Sequence, residues 1–534
     1  MHLAQLNIAR LRNPLDHPAT ADFVAGLDPI NALAEASPGF VWRLQTDEGD
    51  ATALRPHPDP DVIVNLTVWE SPDALRDFVF RSAHTGFLRR RAEWFAPMDG
   101  PQVVAWWIDE EHRPTIEEAL DRLEHLAVHG PSEHAFTVSR PFPHPSTTGS
   151  ASARRGPLDG LLVADFSRVL AGPFASMTLG DLGADVVKVE RPGGGDDTRE
   201  WGPPYVDGVA TYYLALNRNK RSVTLELSDE NDRALAVELA NRADVMIENF
   251  RPGTLERFGL GYDQLIETNP ALVYCSITGF GAATDEAAEM SGYDLLVQAM
   301  SGLMSVTGDP DGVPMKVGVA VVDHITALQA TIGILAALEG RHRTGRGQHV
   351  EVSLMGSALA ALVNQGSAFA GAGVVGKRMG NSHPSVAPYQ TFHASDGWFV
   401  LACGNDSQFV RVAQVVGRPD LASDDRFTTN GQRVAHLAEL DAVLTAAFAT
   451  RTAAEWVSTL RAAGLPSGPI NDIGQAFDTA ATLGLEPIVS SQIGGRLQRT
   501  VRSPLGLSDT PTSVRRNAPD LGEHSEEIRR WLQR

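Results

Sequence analysis

Lysine is nearly absent from this chain. Of the 45 basic residues among 534, only four are lysine (Lys188, Lys220, Lys316 and Lys377), and none precedes position 188. Genomic base composition accounts for that bias without any function. Positive charge as a whole is also short, because 66 acidic residues leave a net charge of −21. This argues against nucleic acid as the main partner, since duplex binding rests on concentrated Lys and Arg. It argues equally against adsorption to an anionic membrane. A polyanion has to be held in a local pocket. Cysteine is scarce: Cys275 and Cys403 allow at most one disulfide and no zinc spacing. The most apolar run, Ile325–Leu338, is too short to span a bilayer. The opening MHLAQLNIARLRNP has no apolar signal-peptide core. The expectation is a soluble cytoplasmic protein with reduced thiols and no bound metal. Common catalytic strings are missing too. There is no P-loop, no GxSxG, no HExxH, and no GxGxxG after the strand at 160.

What is present is ordinary globular composition, 43% hydrophobic and 21% charged, in a chain long enough for roughly three to four domains. Residues 1–145 read as one unit. Strands are expected at 2–11, 62–69, 102–109 and 135–142, and helices over 20–36, 71–95 and 113–130. Ser71 with Pro72 marks one helix start, and Gly130 one stop. This alternation predicts an α+β, ferredoxin-like domain. A Pro-, Ser-, Thr- and Gly-rich stretch follows, with the linker placed at 146–156. From 160 the pattern becomes βαβ: GLLVADF, a helical segment ending at Gly183, then DVVKVE. Further strands are expected at 243–250, 271–281, 349–354 and 398–404. Helices are expected after Val322, over 406–416 and 436–464, and in the charged tail, 518–534.

The strings beside these strands are specific as a series. DFSRVLAGPFA is followed by LGADVVKVERPGGGDDTR, by LNRNKRSVTLEL at 216–227 and by ADVMIENFRPG at 243–253. Then come GLGYD, YCSITGFG, SGYDLLVQAMSG, PMKVGVAVVD, TGRGQHVEVSL and GNSHPSVAPYQTF. In this order, from about 157 to about 480, they resemble the family III (CaiB/BaiF-type) CoA-transferases. The resemblance implies an α/β body with a Rossmann-like large domain (157–380), a smaller α/β domain (381–480) and a C-terminal return to the large domain (481–534). It also implies an interlocked homodimer with its active site between domains. The substrates would be an acyl-CoA and a small carboxylic acid. Coenzyme A would pass through as substrate, and no cofactor would be permanently bound. The 1–145 unit resembles the dimeric α/β-barrel (monooxygenase-like) group. There, His84, Trp69 and Trp94 form a small pocket on a functional reading, and the tryptophans are core and dimer interface on the preferred one.

The resemblance places a nucleophilic aspartate at Asp323. A carboxylate suits the task, because an anhydride and then an enzyme thioester divide one hard exchange into easier steps. Asp323 follows the apolar run Val317–Val322 and precedes a helix expected from about 325. The helix dipole and free N–H groups there are expected to hold it ionised. An N-cap role is the alternative, and His324 reads as a helix-start residue. Tyr293 is the second catalytic candidate. The related α-methylacyl-CoA racemases carry histidine at that place, and a tyrosine near pKa 10 is a poor base. Transfer is therefore favoured over racemisation or epimerisation, and acyl-CoA hydrolysis stays open as an alternative. By the same resemblance, CoA is expected at Val169, Arg191, Leu225, Asn249, Phe250 and Arg257. The arginines would meet phosphates, and Leu225 and Phe250 would flank adenine. Lys220 and Arg221 are read as solvent-exposed. Oxalate/formate-type members carry a glycine run that covers the nucleophile. After 354 this chain offers only GAGVVG (371–376) and Gly380-Asn381, and 381–389 is expected to wall the acyl pocket.

Overall fold

The structure, a computed structural model, describes residues 2–46, 49–57, 59–81, 84–98, 100–132, 134–137, 156–493 and 495–534. The chain divides into two units, Met1–Arg154 and Arg155–Arg534.

The first unit is organised by β1 (His2–Leu11), which pairs antiparallel on both edges. After β1 come α1 (Ala21–Glu35), β2 (Phe40–Arg43), β3 (Val62–Trp69), α2 (Pro72–Arg81), α3 (His84–Trp94), β4 (Val103–Ile108) and α4 (Ile116–His129). β3 lies beside β1 with Leu3 opposite Trp69. β4 takes the other edge with Leu3 opposite Trp107, and β2 pairs outside β3. The order β2-β3-β1-β4 is the antiparallel ferredoxin-like order, and a two-residue fifth strand, Phe95–Ala96, pairs with the end of β1 at Arg10 and Leu11. The four-residue β2, which hydrophobic pattern did not reveal, supplies its second strand. The period-2 rule then sorts side chains. Ala4, Leu6 and Ile8 pack with α4 residues Ala119, Leu123 and Leu126, while Leu3 packs with Trp69, Leu75 and Ala105. Thr115 caps α4 by accepting from the Glu118 N–H. Trp69, Trp94 and Trp106 are buried, each a burial of roughly 4–6 kcal/mol. So Trp69 and Trp94 are core residues, and the side chain of His84 lies outside those described. The expected helix over 71–95 is two helices. Of the expected strand at 135–142, Phe136 forms an isolated bridge with Ala105, and its remainder from 138, like the linker through 155, lies outside the described residues.

The second unit carries a six-stranded parallel sheet. Its elements are β5 (Leu162–Asp165), α5 (Ala171–Asp181), β6 (Asp185–Glu190), β7 (Lys220–Thr224), α6 (Glu230–Arg242), β8 (Val245–Glu248), β9 (Val273–Thr278), α7 (Asp294–Met300), α8 (Val321–Thr344) and β10 (His349–Ser353). The order is β7-β6-β5-β8-β9-β10, the doubly wound arrangement. α5 and α8 cover one face, and α6 covers the other with the C-terminal helix Ser525–Leu532. α8 begins four residues earlier than the sequence suggests and spans 24. It is long and apolar enough to cross a membrane, yet Val322, Ala327, Ala330, Ile334 and Leu338 are buried in the core. A three-stranded antiparallel sheet follows: Tyr389–His393, Trp398–Ala402 and Ser467–Pro469. The helical stretch expected at 436–464 is interrupted, because Thr452 opens a new helix with Glu455 in a capping box.

Charge is buried in the large sheet. Lys188 and Lys220 are both fully inaccessible. Lys220 Nζ lies 3.0 Å from Asp165 and donates to the Pro173 carbonyl and the Asn217 side chain. Arg221 is buried too, against Asp185 and Glu527. The expectation that Lys220 and Arg221 face solvent is therefore overturned. Each has found a carboxylate on another segment, which net charge could not foretell. Burial alone would raise the Asp165 pKa, but Lys220 and Lys188 hold it well below the usual carboxylate range. Removing one partner of such a pair strands the other. Lys220→Met should lower stability by about 3–5 kcal/mol, read as an early unfolding midpoint for the C-terminal unit in calorimetry.

Candidate functional site

Strand order reverses direction between β5 and β8, and α/β sheets bind ligands where carboxyl ends diverge in this way. A cleft of about 310 Å³ opens there. Its walls are the turn Arg168–Leu170 after β5, the segment Asn249–Pro252 after β8, the end of β9, Ala287, Ala288, residues 290–293, and Asp323 on α8.

The turn after β5 is strained and tightly held. Val169 adopts φ 69°, a region costly for a β-branched side chain. Its N–H donates to the Asp196 carboxylate at 3.3 Å. Asp196 is in turn paired with buried Lys188 at 2.8 Å, and Lys188 also donates to the Ser167 carbonyl at 2.9 Å. Between them, Asn249 accepts from the Arg168 N–H at 2.8 Å and donates to the Arg168 carbonyl at 2.7 Å. Three consecutive residues thus have their backbone fixed by side chains from other segments. The Arg168 guanidinium lies over the Phe250 ring at 5.2 Å.

On the opposite wall, Gly279 and Gly292 meet backbone to backbone. A Cβ on either would stand 2.6–2.7 Å from the other's Cα. This contact sets the chain that delivers Tyr293, which is exposed in the cleft. Next to it, Asp294 caps α8 from outside: its carboxylate accepts from the N–H groups of Val322 and Asp323, at 2.8 and 3.1 Å. Asp323 sits in the first turn of α8, past the cap position, and is half-buried in the cleft. Its carboxylate accepts no hydrogen bond among the described residues. The N–H groups expected to hold it ionised are taken by Asp294, and burial with the charge of Asp294 raises its pKa to about 7. Tyr212 feels the same charges: burial, then Asp323 and Asp294, push its hydroxyl up to about 12.

Of the residues singled out from sequence, Val169, Asn249, Phe250, Tyr293 and Asp323 line this one cleft. Arg191 does not line it. It pairs with Asp197 at 2.7 Å, and Asp197 is itself a wall residue. Arg257 is exposed and donates to the Gly253 carbonyl. Leu225 packs into the core with Val189 and Val223 and does not reach the cleft. Sequence reasoning missed Arg168, Arg251, Asp294 and Tyr212. Arg168 and Arg251 stand in the very strings that follow β5 and β8, and position at a strand's carboxyl end was the available signal. Both guanidiniums suit phosphate oxygens, so the cleft combines cations, an exposed hydroxyl and a carboxylate that titrates near neutrality.

Residues 158–525 match the model of CoA-transferase family III. The chain belongs to that family. This transferase is 42% identical over 383 residues to a succinate–glutarate CoA-transferase of Agrobacterium fabrum, covering 70% of this chain and 95% of the relative. It is 41% identical over 377 residues to an acetyl-CoA:oxalate CoA-transferase of Acetobacter aceti, covering 70% and 96%. A solved CAIB/BAIF family protein from Brucella suis superposes with a TM-score of 0.63 at 44% identity, over 71% of this chain and all of that one. Residues 2–152 of the transferase match a domain of unknown function, DUF3291. The transferase works on CoA thioesters, and CoA transfer is its reaction class.

Neither wall of the glycine contact can yield cheaply, since the opposing atoms are backbone. Gly292→Ala should displace Tyr293, lower the unfolding midpoint and raise the KM for acyl-CoA about tenfold or more in steady-state assays.

Proposed function

We propose that the transferase carries CoA from an acyl-CoA to a small dicarboxylic acid through a covalent intermediate on Asp323. The observation that carries this reading is a half-buried carboxylate in the switch-point cleft, which two arginines also line, with no hydrogen bond accepted by it among the described residues. The Asp323 carboxylate attacks the thioester carbonyl. The C–S bond breaks, CoA leaves as thiolate, and an acyl–aspartyl anhydride forms. The thiolate then attacks the aspartyl carbonyl, releasing the first acid as its carboxylate and leaving an aspartyl–CoA thioester. The second carboxylate reverses both steps, and no net proton is consumed. Splitting the exchange this way conserves thioester energy as long as water is kept out. Arg168 and Arg251 meet CoA phosphates, with Arg191 and Arg257 beyond the cleft walls as further cations. Val169, Asn249 and Phe250 form the CoA-facing wall. The Tyr293 hydroxyl donates to the carbonyl oxygen as charge develops there. The names of relatives, which specify succinate, glutarate and oxalate, support a dicarboxylic acceptor.

The transferase acts as an interlocked homodimer on this reading. Support comes from apolar side chains left at the surface of the C-terminal unit, among them Leu328 and Ile332 on α8 and Phe369 beyond it. Surfaces of this kind mark association sites. Ile332→Glu should convert the dimer to monomer in light scattering.

Asp323→Asn should cut exchange of labelled acid into acyl-CoA by roughly 10⁴-fold or more and remove the mass adduct seen on incubation with acyl-CoA. Undiminished exchange would sink the assignment. Released CoA without an acceptor would mark a hydrolase, and α-proton exchange with deuterated solvent a racemase. The nucleophile is the ionised form, so kcat/KM should rise with pH through about 7. Asp294→Asn keeps an oxygen to accept from Val322 and Asp323 but removes the repelling charge, so that limb should move to lower pH. Raised pKa also means that the folded state binds the proton better, so wild-type stability falls between the unfolded carboxylate range and about pH 7. Asp323→Asn should therefore be more stable than wild type at pH 8, with the gain vanishing toward pH 4.

A further inference from the structure

The amino ends of β6 and β7 carry a second concavity, about 630 Å³ in volume. The acyl-CoA cleft lies at the carboxyl ends of this sheet, so strands of five or six residues separate the two by about 20 Å. Five arginines line the cavity, Arg221, Arg515, Arg516, Arg530 and Arg534, against two carboxylates, Asp185 and Glu527. The local side-chain charge is +3 in a chain of −21.

Both carboxylates are already used. Asp185 and Glu527 pair with buried Arg221. The remaining four cations differ in how they are held. Arg515 donates to the carbonyls of Gly180 and Ala184, at 2.7 and 2.8 Å, which orients the guanidinium but cancels no charge. The side chain of buried Asn219 accepts from the backbone N–H groups of Arg515 and Arg516, which fixes the segment bearing both. Arg530 stands 4.0 Å from exposed Glu526. The Arg516 and Arg534 guanidiniums form no ion pair or hydrogen bond among the described residues. Of the four, Arg515, Arg516 and Arg534 have no carboxylate partner among the described residues, and Arg530 has only the exposed Glu526 at 4.0 Å. Such an arrangement repels itself unless an anion sits among them.

We propose that this cavity binds a small polyanion carrying two or more phosphate or carboxylate groups. The volume suits a metabolite-sized ligand. Arginine forks match both oxyanion types in bidentate fashion, and the site is independent of the acyl-CoA cleft.

Isothermal titration with inorganic pyrophosphate in one arm and citrate in the other tests this and separates the two chemistries. Saturable binding by the full-length protein is expected, weakening as salt rises. Arg516→Ala/Arg534→Ala should weaken it at least tenfold and leave CoA-transfer turnover unchanged. Pyrophosphate can also enter the acyl-CoA cleft, so Arg168→Ala is the control, and binding should survive it. Binding lost in Arg168→Ala and retained in the double variant would overturn the proposal, as would the absence of saturable binding in both arms. Because Arg516 and Arg534 are surface residues with no partner to strand, the double variant should keep the wild-type unfolding midpoint in ligand-free buffer.

Discussion

A buried ionic lattice beneath the switch point is the constraint from which the site follows. Asp165 at the end of β5, Lys188 in β6 and Lys220 in β7 join three adjacent strands. Lys188 extends the lattice to Asp196, and Asp196 reaches the N–H of Val169. A β-branched residue does not hold a left-handed conformation unless its surroundings over-determine it. Here they do, because desolvated ions have few alternative partners and therefore lock the geometry they satisfy. The rim of the cleft is consequently rigid where a ligand backbone contact would need it to be.

The second wall uses the opposite device. The Asp323 carboxylate accepts no hydrogen bond among the described residues, while Asp294 takes the helix N–H groups that would have stabilised its charge. One carboxylate thus caps α8, and the other has its pKa raised by burial and repulsion. Two acids joined through the Asp323 backbone N–H differ in surroundings, one hydrogen-bonded to two amides and the other half-buried beside it. A structural cap and a pKa adjustment are accomplished by the same side chain.

The N-terminal unit has a different logic. Its sheet is covered on one face by α4 and on the other by residues of α1 and α2, with its tryptophans among the packed core. Its stability is that of a two-layer hydrophobic core with both faces of β1 in use. The ion pairs described for it lie at partly exposed positions such as Arg43–Glu35, unlike the buried lattice of the second unit.

Sequence alone determined the period-2 and βαβ patterns, and with them the two fold classes, because apolar periodicity is a local property written directly into the chain. It also determined the family, through strings that sit at strand ends, and it reached Asp323, Tyr293, Val169, Asn249 and Phe250. It missed β7, whose opening Lys-Arg-Ser looks polar, because the carboxylates that bury those cations are 36 to 55 residues away for Asp185 and Asp165, or more than 300 for Glu527. It missed Asp294 as the cap of α8 for the same reason. Which charges are buried, which N–H groups are already taken and which arginines are left without a counter-ion depend on partners distant in the chain. Only the tertiary structure decides those, since electrostatic energy depends on separation in space and on the surrounding dielectric.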